Sequence, residues 1–270
     1  MFYHSLSAQA ELVDDINTEV QNEYSSCTDN NCTVQVNGKI LFYAENPEFG
    51  RELYTIEDGK VELLVDLNND PSSSNPRFLT LFNELVYFLA NDGTGYKIWQ
   101  TDGTSAGTET AFDLGVEDAT FNDYKVFLIN EDELYFEFQG SIFSYNGIDL
   151  NRVNDDNNIK LTSIYDSYAW CVYKEGIAVM PYNGVSWSML YIHDDQIDTL
   201  FNFENNNSSG QMPYALGAFE GGLTFGFKAP SFSSRKGRYV YLESDSTLIQ
   251  QHNEDNERIQ VIDSQSSIAY

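Results

Sequence analysis

An aliphatic or aromatic residue followed by an aromatic one recurs along this chain, at Phe2-Tyr3, Leu53-Tyr54, Ile98-Trp99, Ile142-Phe143, Leu190-Tyr191 and Val240-Tyr241. The second residues of these pairs lie 51, 45, 44, 48 and 50 positions apart. A fixed period of this size marks a repeat architecture, and four short strands with their turns fill it. About a dozen residues upstream of most pairs runs a second apolar strand, such as Ile40-Leu41-Phe42-Tyr43, Leu85-Val86-Tyr87-Phe88 and Leu223-Thr224-Phe225. Tight turns, including Asn37-Gly38 and Gly221-Gly222, precede these strands, and a further strand precedes each turn. Strand and hairpin alternating at this spacing is an antiparallel meander.

The repeat predicts an all-β chain folded as one six-bladed β-propeller across residues 1–270. Its blades fall near 33–66, 77–114, 123–154, 167–203 and 213–251, and the sixth is assembled from 257–270 together with 1–15. In this scheme Arg258–Ile262 and Ser267–Tyr270 supply two strands, and Phe2-Tyr3 and Ala10–Asp14 the other two. A blade shared between the termini closes the ring and leaves no unpaired edge. The alternative is five blades with loose tails.

Charge excludes several functions. The chain carries 42 Asp plus Glu against 14 Lys plus Arg, a net charge of −28. Duplex binding requires clustered cations that displace counterions, so nucleic acid is not an expected partner. Basic protein surfaces and divalent cations are favoured instead. No apolar run approaches the roughly 20 residues of a membrane span, so membrane insertion is not expected. Met1–Leu6 lacks the basic start and apolar core of a signal peptide, so an exported form would be a trimmed chain. Cys27 and Cys32 bracket a polar stretch of four residues, the pattern of a small disulfide loop, with free thiols as the alternative. Cys171 lies in an apolar strand and reads as a core thiol.

Residues 36–115 resemble a bacterial repeat family named for its Glu-Leu-Trp-x-x-Asp-Gly-Thr core. The second repeat carries the pattern as Gly95-Tyr96-Lys97-Ile98-Trp99-Gln100-Thr101-Asp102-Gly103-Thr104, and the first as Gly50-Arg51-Glu52-Leu53-Tyr54 with Glu57-Asp58-Gly59. Later repeats keep the spacing and lose the Asp-Gly-Thr turn. The family is similar to other secreted or cell-surface propellers, so the resemblance implies an extracellular or surface-displayed bacterial protein. It implies no catalytic residues. The motif itself reads as structural: Asp-Gly makes a tight turn in which glycine takes positive φ, and the Trp or Tyr fills space between blades.

Three features break the repeat. Asp66, Asn68 and Asp70 place oxygen ligands at alternating positions, as calcium loops do. Pro71 stands where such a loop turns on glycine, however, and Arg77 where it closes with glutamate, so a solvated turn with side chains capping its own amides is the competing reading. The stretch 229–238 holds Arg235, Lys236 and Arg238 on an otherwise anionic protein. It reads as an exposed hairpin extension or as a contact loop for an acidic partner, including a second copy of the chain. The acidic connections Asp14-Asp15, Asp66–Asp70, Glu117-Asp118, Asp155-Asp156 and Glu254-Asp255 share one face of the predicted ring, the face on which propellers commonly carry ligands.

The expected function is a non-catalytic extracellular binding or assembly module, with a protein partner or self-association and no obligatory cofactor. The alternative is a carbohydrate-active or carbohydrate-binding propeller, glycosidase-like or calcium-dependent and lectin-like. Propeller glycosidases need two carboxylates at a set separation, and a chain this acidic offers them everywhere. His4, His193 and His252 all lie in or beside polar turns, so no Ser–His–Asp set can be assigned.

Overall fold

The computed structural model describes residues 32–69, 71–113, 127–138, 141–153, 170–181, 187–194, 196–203, 212–228, 235–244, 246–251 and 259–262. The described residues form twenty-one β-strands and no helix. The chain divides into two compact units, residues 1–120 and 121–270.

The first unit contains two sheets. Blade one is β1 (Thr33–Val36), β2 (Lys39–Asn46), β3 (Gly50–Glu57) and β4 (Lys60–Val65). Blade two is β5 (Arg77–Phe82), β6 (Leu85–Asn91), β7 (Tyr96–Thr101) and β8 (Glu109–Phe112). The second unit contains three. Blade three is β9 (Phe127–Asn130), β10 (Glu133–Phe138), β11 (Ser141–Tyr145) and β12 (Leu150–Arg152). Blade four is β13 (Trp170–Tyr173), β14 (Gly176–Val179), β15 (Trp187–His193) and β16 (Gln196–Phe203). Blade five is β17 (Met212–Phe219), β18 (Gly222–Lys228), β19 (Arg235–Leu242) and β20 (Thr247–Gln251), to which β21 (Ile259–Ile262) is added. Every sheet is an antiparallel meander whose strands pair in sequence order.

The described residues therefore make five sheets, where the repeat predicts six. The strand over 259–262 does not open a new blade. It pairs antiparallel with β20, Leu248 opposite Ile262 and Gln251 opposite Ile259, and lengthens blade five to five strands. The open backbone edge of β20 takes the next apolar strand of the chain. The other strands expected in a sixth blade, within 1–15 and 263–270, lie outside the described residues.

Packing follows the period-two alternation of each strand. In the first unit β1 lies against β5, and Leu41, Tyr43 and Leu53 of blade one meet Val86, Phe88 and Ala90 of blade two in one apolar core. In the second unit β13 lies between β9 and β17. One flank of blade four, with Ile177, Val179, Leu190 and Ile192, packs with Tyr135 and Ile142 of blade three. Its other flank, with Tyr173, Ala178, Met189 and Tyr191, packs with Leu223, Phe225 and Tyr239 of blade five. The aliphatic–aromatic marks among the described residues all fall on third strands, because adjacent residues there point to opposite flanks and each blade needs an apolar group on both.

Candidate functional site

The connection from β4 to β5 returns across the start of β3, and a buried carboxylate holds it there. Glu52 is fully buried, and its carboxylate accepts the Ser74 N–H at 2.6 Å, the Ser74 hydroxyl and the Leu67 N–H at 3.4 Å. Ser73 Oγ accepts the Arg51 N–H at 2.9 Å, and the Ser74 carbonyl accepts the Asn91 N–H of blade two at 2.8 Å. Burial raises the Glu52 carboxyl above the usual glutamate value, and the hydrogen bonds from Ser74 offset part of that rise. The glutamate that blade one contributes to the family-like pattern thus ties the inter-blade connection to the sheet. In blade two the same register position is Lys97, which ion-pairs with Asp92 at 2.7 Å. Burial would raise the Asp92 carboxyl, but hydrogen bonds from Lys97 and Thr94 outweigh it and hold it at about 2.

The Asp-Gly-Thr turn is likewise closed on itself. Asp102 Oδ1 accepts both the Thr104 N–H (2.8 Å) and the Thr104 hydroxyl (2.7 Å), and the Thr104 hydroxyl oxygen accepts the Gly107 N–H at 3.0 Å. Asn37, in the first turn of blade one, donates its amide to the Asp102 carbonyl at 3.0 Å. Gly103 has φ +88°, and a Cβ there would stand 3.1 Å from Val36 Cγ1. A side chain at this position would be strained in its own backbone and pressed against the neighbouring blade.

A denser group of ionisable side chains lies among the turns of blades four and five. Lys174, in the turn between β13 and β14, pairs with Glu243 in the turn after β19, and its ammonium stands 5.3 Å from the Tyr173 ring centroid and 5.6 Å from that of Tyr191. The Tyr173 hydroxyl donates to Glu243 at 3.2 Å and the Tyr191 hydroxyl to Glu175 at 3.1 Å. His193 stacks on Tyr191 with ring centroids 4.3 Å apart and bonds Asp198 at 2.9 Å. Burial, then the Glu175 contact, pushes the Tyr191 phenol up to about 12, and burial with Glu243 raises Tyr173 as well. Both phenols therefore stay protonated near neutrality and act as donors rather than bases. Burial also pushes the Cys171 thiol up to about 12, which removes it as a nucleophile.

The Asp198 hydrogen bond raises His193 above its ordinary 6.5. A raised histidine stabilises the fold fully below that unfolded value and loses the contribution as pH rises through the folded value. We therefore expect a His193→Gln variant to show a flatter melting temperature between pH 6 and 8 than the parent. The difference should stay below about 1 kcal/mol, since Asp198 is exposed. Equal slopes would show that His193 does not sense pH through Asp198.

The other expected site residues fall as follows. Asp66 Oδ1 accepts the Asn69 N–H at 2.9 Å, the capped-turn arrangement, and the Asn68 side-chain oxygen lies against Gly93 of blade two. Asp70 is outside the described residues, as are Cys27 and all the acidic connections except 66–69. Among the described residues no group of three or more His, Cys, Asp or Glu is arranged to hold a metal ion. Arg235, Lys236 and Arg238 are not in a loop. They belong to β19, with Arg235 opposite Lys228 and Arg238 opposite Gly226. Backbone pairing to β18 carries the strand through this basic run despite its weak strand propensity.

The Tyr173–Lys174–Glu243 group is absent from the sequence expectations because its partners are 69 and 70 residues apart. The available signal is the inter-blade rule seen at Asn37 and Asp102, a first turn touching the third-strand turn of the next blade.

No family model and no curated protein matches this chain. Among solved structures it is similar to the extracellular domain of a one-component system of B. thetaiotaomicron, with 12% identity and a TM-score of 0.48 over 84% of this chain and 28% of that one. It is also similar to PorZ, a bacterial surface component of the type-IX secretion system of Porphyromonas gingivalis, with 11% identity and a TM-score of 0.34 over 83% of this chain and 31% of that one. A third likeness is to the β-propeller domain of the Trilobed protease from Pyrococcus furiosus, with 9% identity, a TM-score of 0.31 and 75% of each chain covered. This chain spans less than a third of the length of the first two. These likenesses assign it no activity.

Proposed function

We propose that this chain is a non-catalytic binding or assembly module that works outside the cell and engages a protein surface. The observation that carries the reading is how the charges are disposed. Of the 14 bases, Lys39, Lys97 and Lys174 are already paired with Glu57, Asp92 and Glu243, against a net charge of −28. What the molecule presents to a partner is therefore an anionic field, which attracts basic protein surfaces and repels acidic ones. The protonated phenols and the half-buried Cys171 thiol support a site that holds rather than reacts. Membership of the Glu-Leu-Trp-x-x-Asp-Gly-Thr repeat family and a Cys27–Cys32 disulfide belong to the same proposal.

The competing reading is a calcium-dependent lectin-like or glycosidase-like propeller. A glycan array probed with calcium and with EDTA separates the two, alongside binding to an immobilised basic protein across a salt series. We expect no glycan retained and basic-protein binding that weakens with salt. Structural calcium at 100 times its dissociation constant would add about 2.7 kcal/mol, enough to raise the melting temperature by several degrees. We expect no such shift. Calcium-dependent glycan retention, or a thermal shift on adding calcium, would overturn the proposal.

A further inference from the structure

Three Asn-Gly pairs punctuate the chain, at Asn37, Asn146 and Asn183. A glycine after asparagine presents a backbone nitrogen that no Cβ shields, so that nitrogen can reach the preceding side-chain amide. Asn183 lies outside the described residues. The other two pairs sit in turns that engage opposite ends of the amide. Asn37 has φ +48° and Gly38 φ +82°, and the Asn37 NH2 donates to the Asp102 carbonyl of blade two at 3.0 Å. The group that cyclisation must expel is thereby tied to the neighbouring sheet. Asn146, in the turn between β11 and β12, is held by its oxygen instead. Its Oδ1 accepts the Ile148 N–H at 2.9 Å and the Asp149 N–H at 2.8 Å. Gly147 takes φ +96°, Asn146 is exposed, and Ile148 at the tip of the turn is 86% exposed.

Two N–H groups on one carbonyl oxygen draw electron density from Asn146 Cγ. They also stabilise the negative charge that develops on Oδ1 when a nucleophile adds, which is the physics of an oxyanion hole. We infer that Asn146 is a site of spontaneous covalent modification, converted from amide to carboxylate in the folded chain while Asn37 is protected. The Gly147 nitrogen gives its proton to hydroxide and bonds Asn146 Cγ. The Cγ–Nδ2 bond then breaks, and the nitrogen takes up a proton from water and leaves as ammonia. Water opens the resulting cyclic imide at either carbonyl, so the balance is one water consumed and one ammonia released. One opening gives aspartate at 146, which keeps an oxygen acceptor for the Ile148 and Asp149 amides. The other routes the main chain through the side-chain carbon, which adds one CH2 to the turn and displaces Ile148. Either product places a new negative charge beside Asp149.

Incubating the folded chain beside the same chain unfolded in urea, both in mildly alkaline buffer, separates the effect of structure from that of sequence. Trypsin then releases residues 126–152, between Lys125 and Arg152, which carry Asn146, and residues 1–39, which carry Asn37. Fragment masses locate the amide-to-acid gain at each asparagine. In urea the two should convert at similar rates, because each is an asparagine followed by glycine. In the folded chain Asn146 should convert at least about tenfold faster than Asn37, a difference in barrier of about 1.4 kcal/mol. Equal rates in the folded chain, or a faster Asn37, overturn the inference. The same gap in urea overturns it too, since flanking sequence would then account for the difference. So does an Asn146 that converts about tenfold more slowly folded than unfolded, because its turn would then shield the amide rather than activate it.

Discussion

Replacing Gly176 with alanine is expected to lower the melting temperature by roughly 8–16 °C, the shift for about 4 kcal/mol in a domain of this size. Gly176 begins β14 at the point where the chain comes hard against β15, and a Cβ there would lie inside the van der Waals envelope of the Ile192 carbonyl. The obstacle is backbone, not the end of a flexible side chain, so only separation of the two strands relieves it. That would also pull the Gly176 carbonyl from Asn130, whose amide bonds it at 2.8 Å and ties blade three to blade four. Gly59 provides the control. Its φ is +73°, and a methyl added there would meet nothing within 4 Å, so Gly59→Ala should cost only about 1 kcal/mol of backbone strain. Comparable losses in the two variants would mean that conformation, and not the close approach to Ile192, governs Gly176.

Glu52→Ala is expected to cost about 3 kcal/mol, or a fall of about 6–12 °C. The substitution leaves the Ser74 and Leu67 amides and the Ser74 hydroxyl without their acceptor at a fully buried position. Glu52→Gln should fall between the two, because its single oxygen can serve only part of that set and its NH2 faces donors. The pH dependence has a definite sign. A carboxyl whose folded value is raised favours the fold most when protonated, so its contribution is fully present below 4.5 and is lost as pH rises through the raised folded value. Mild acid should therefore tighten this connection, and the parent should gain stability relative to Glu52→Gln between pH 7 and pH 5. A constant difference across that range would show that the carboxylate is not titrating there.

The sheets are legible in the sequence because each is specified locally. Leu53-Tyr54, Ile98-Trp99 and Leu190-Tyr191 mark third strands because each residue serves a different flank, and Asn37-Gly38 and Asp102-Gly103 mark turns that draw on positive φ. Interactions between blades are not legible. Glu52 reads as an ordinary polar position in a strand until Ser74, 22 residues on, is known to come back over it. Lys174 looks like a solvated turn residue until Glu243 is beside it. The basic run at 235–238 reads as a loop because charge and Gly237 outweigh strand propensity locally, whereas the ladder with β18 is a partner effect. Residues 259–262 read as a strand and form one, but the repeat period places them in a sheet other than the one they join. Strand character is written in four residues, and the choice of edge is not.

Each strand in these sheets pairs with strands directly before or after it in the chain. Few loop closures longer than a hairpin are needed to complete a meander, so the entropic barrier to forming one is low and the folding of any blade is fast relative to all-β proteins with crossed connections. Stability then accrues blade by blade, from each sheet and its contacts with the next. A chain emerging end-first, from a ribosome or through a narrow pore, can complete each of these meanders before the next is available, and none of the described strands has to wait unpaired for a distant partner.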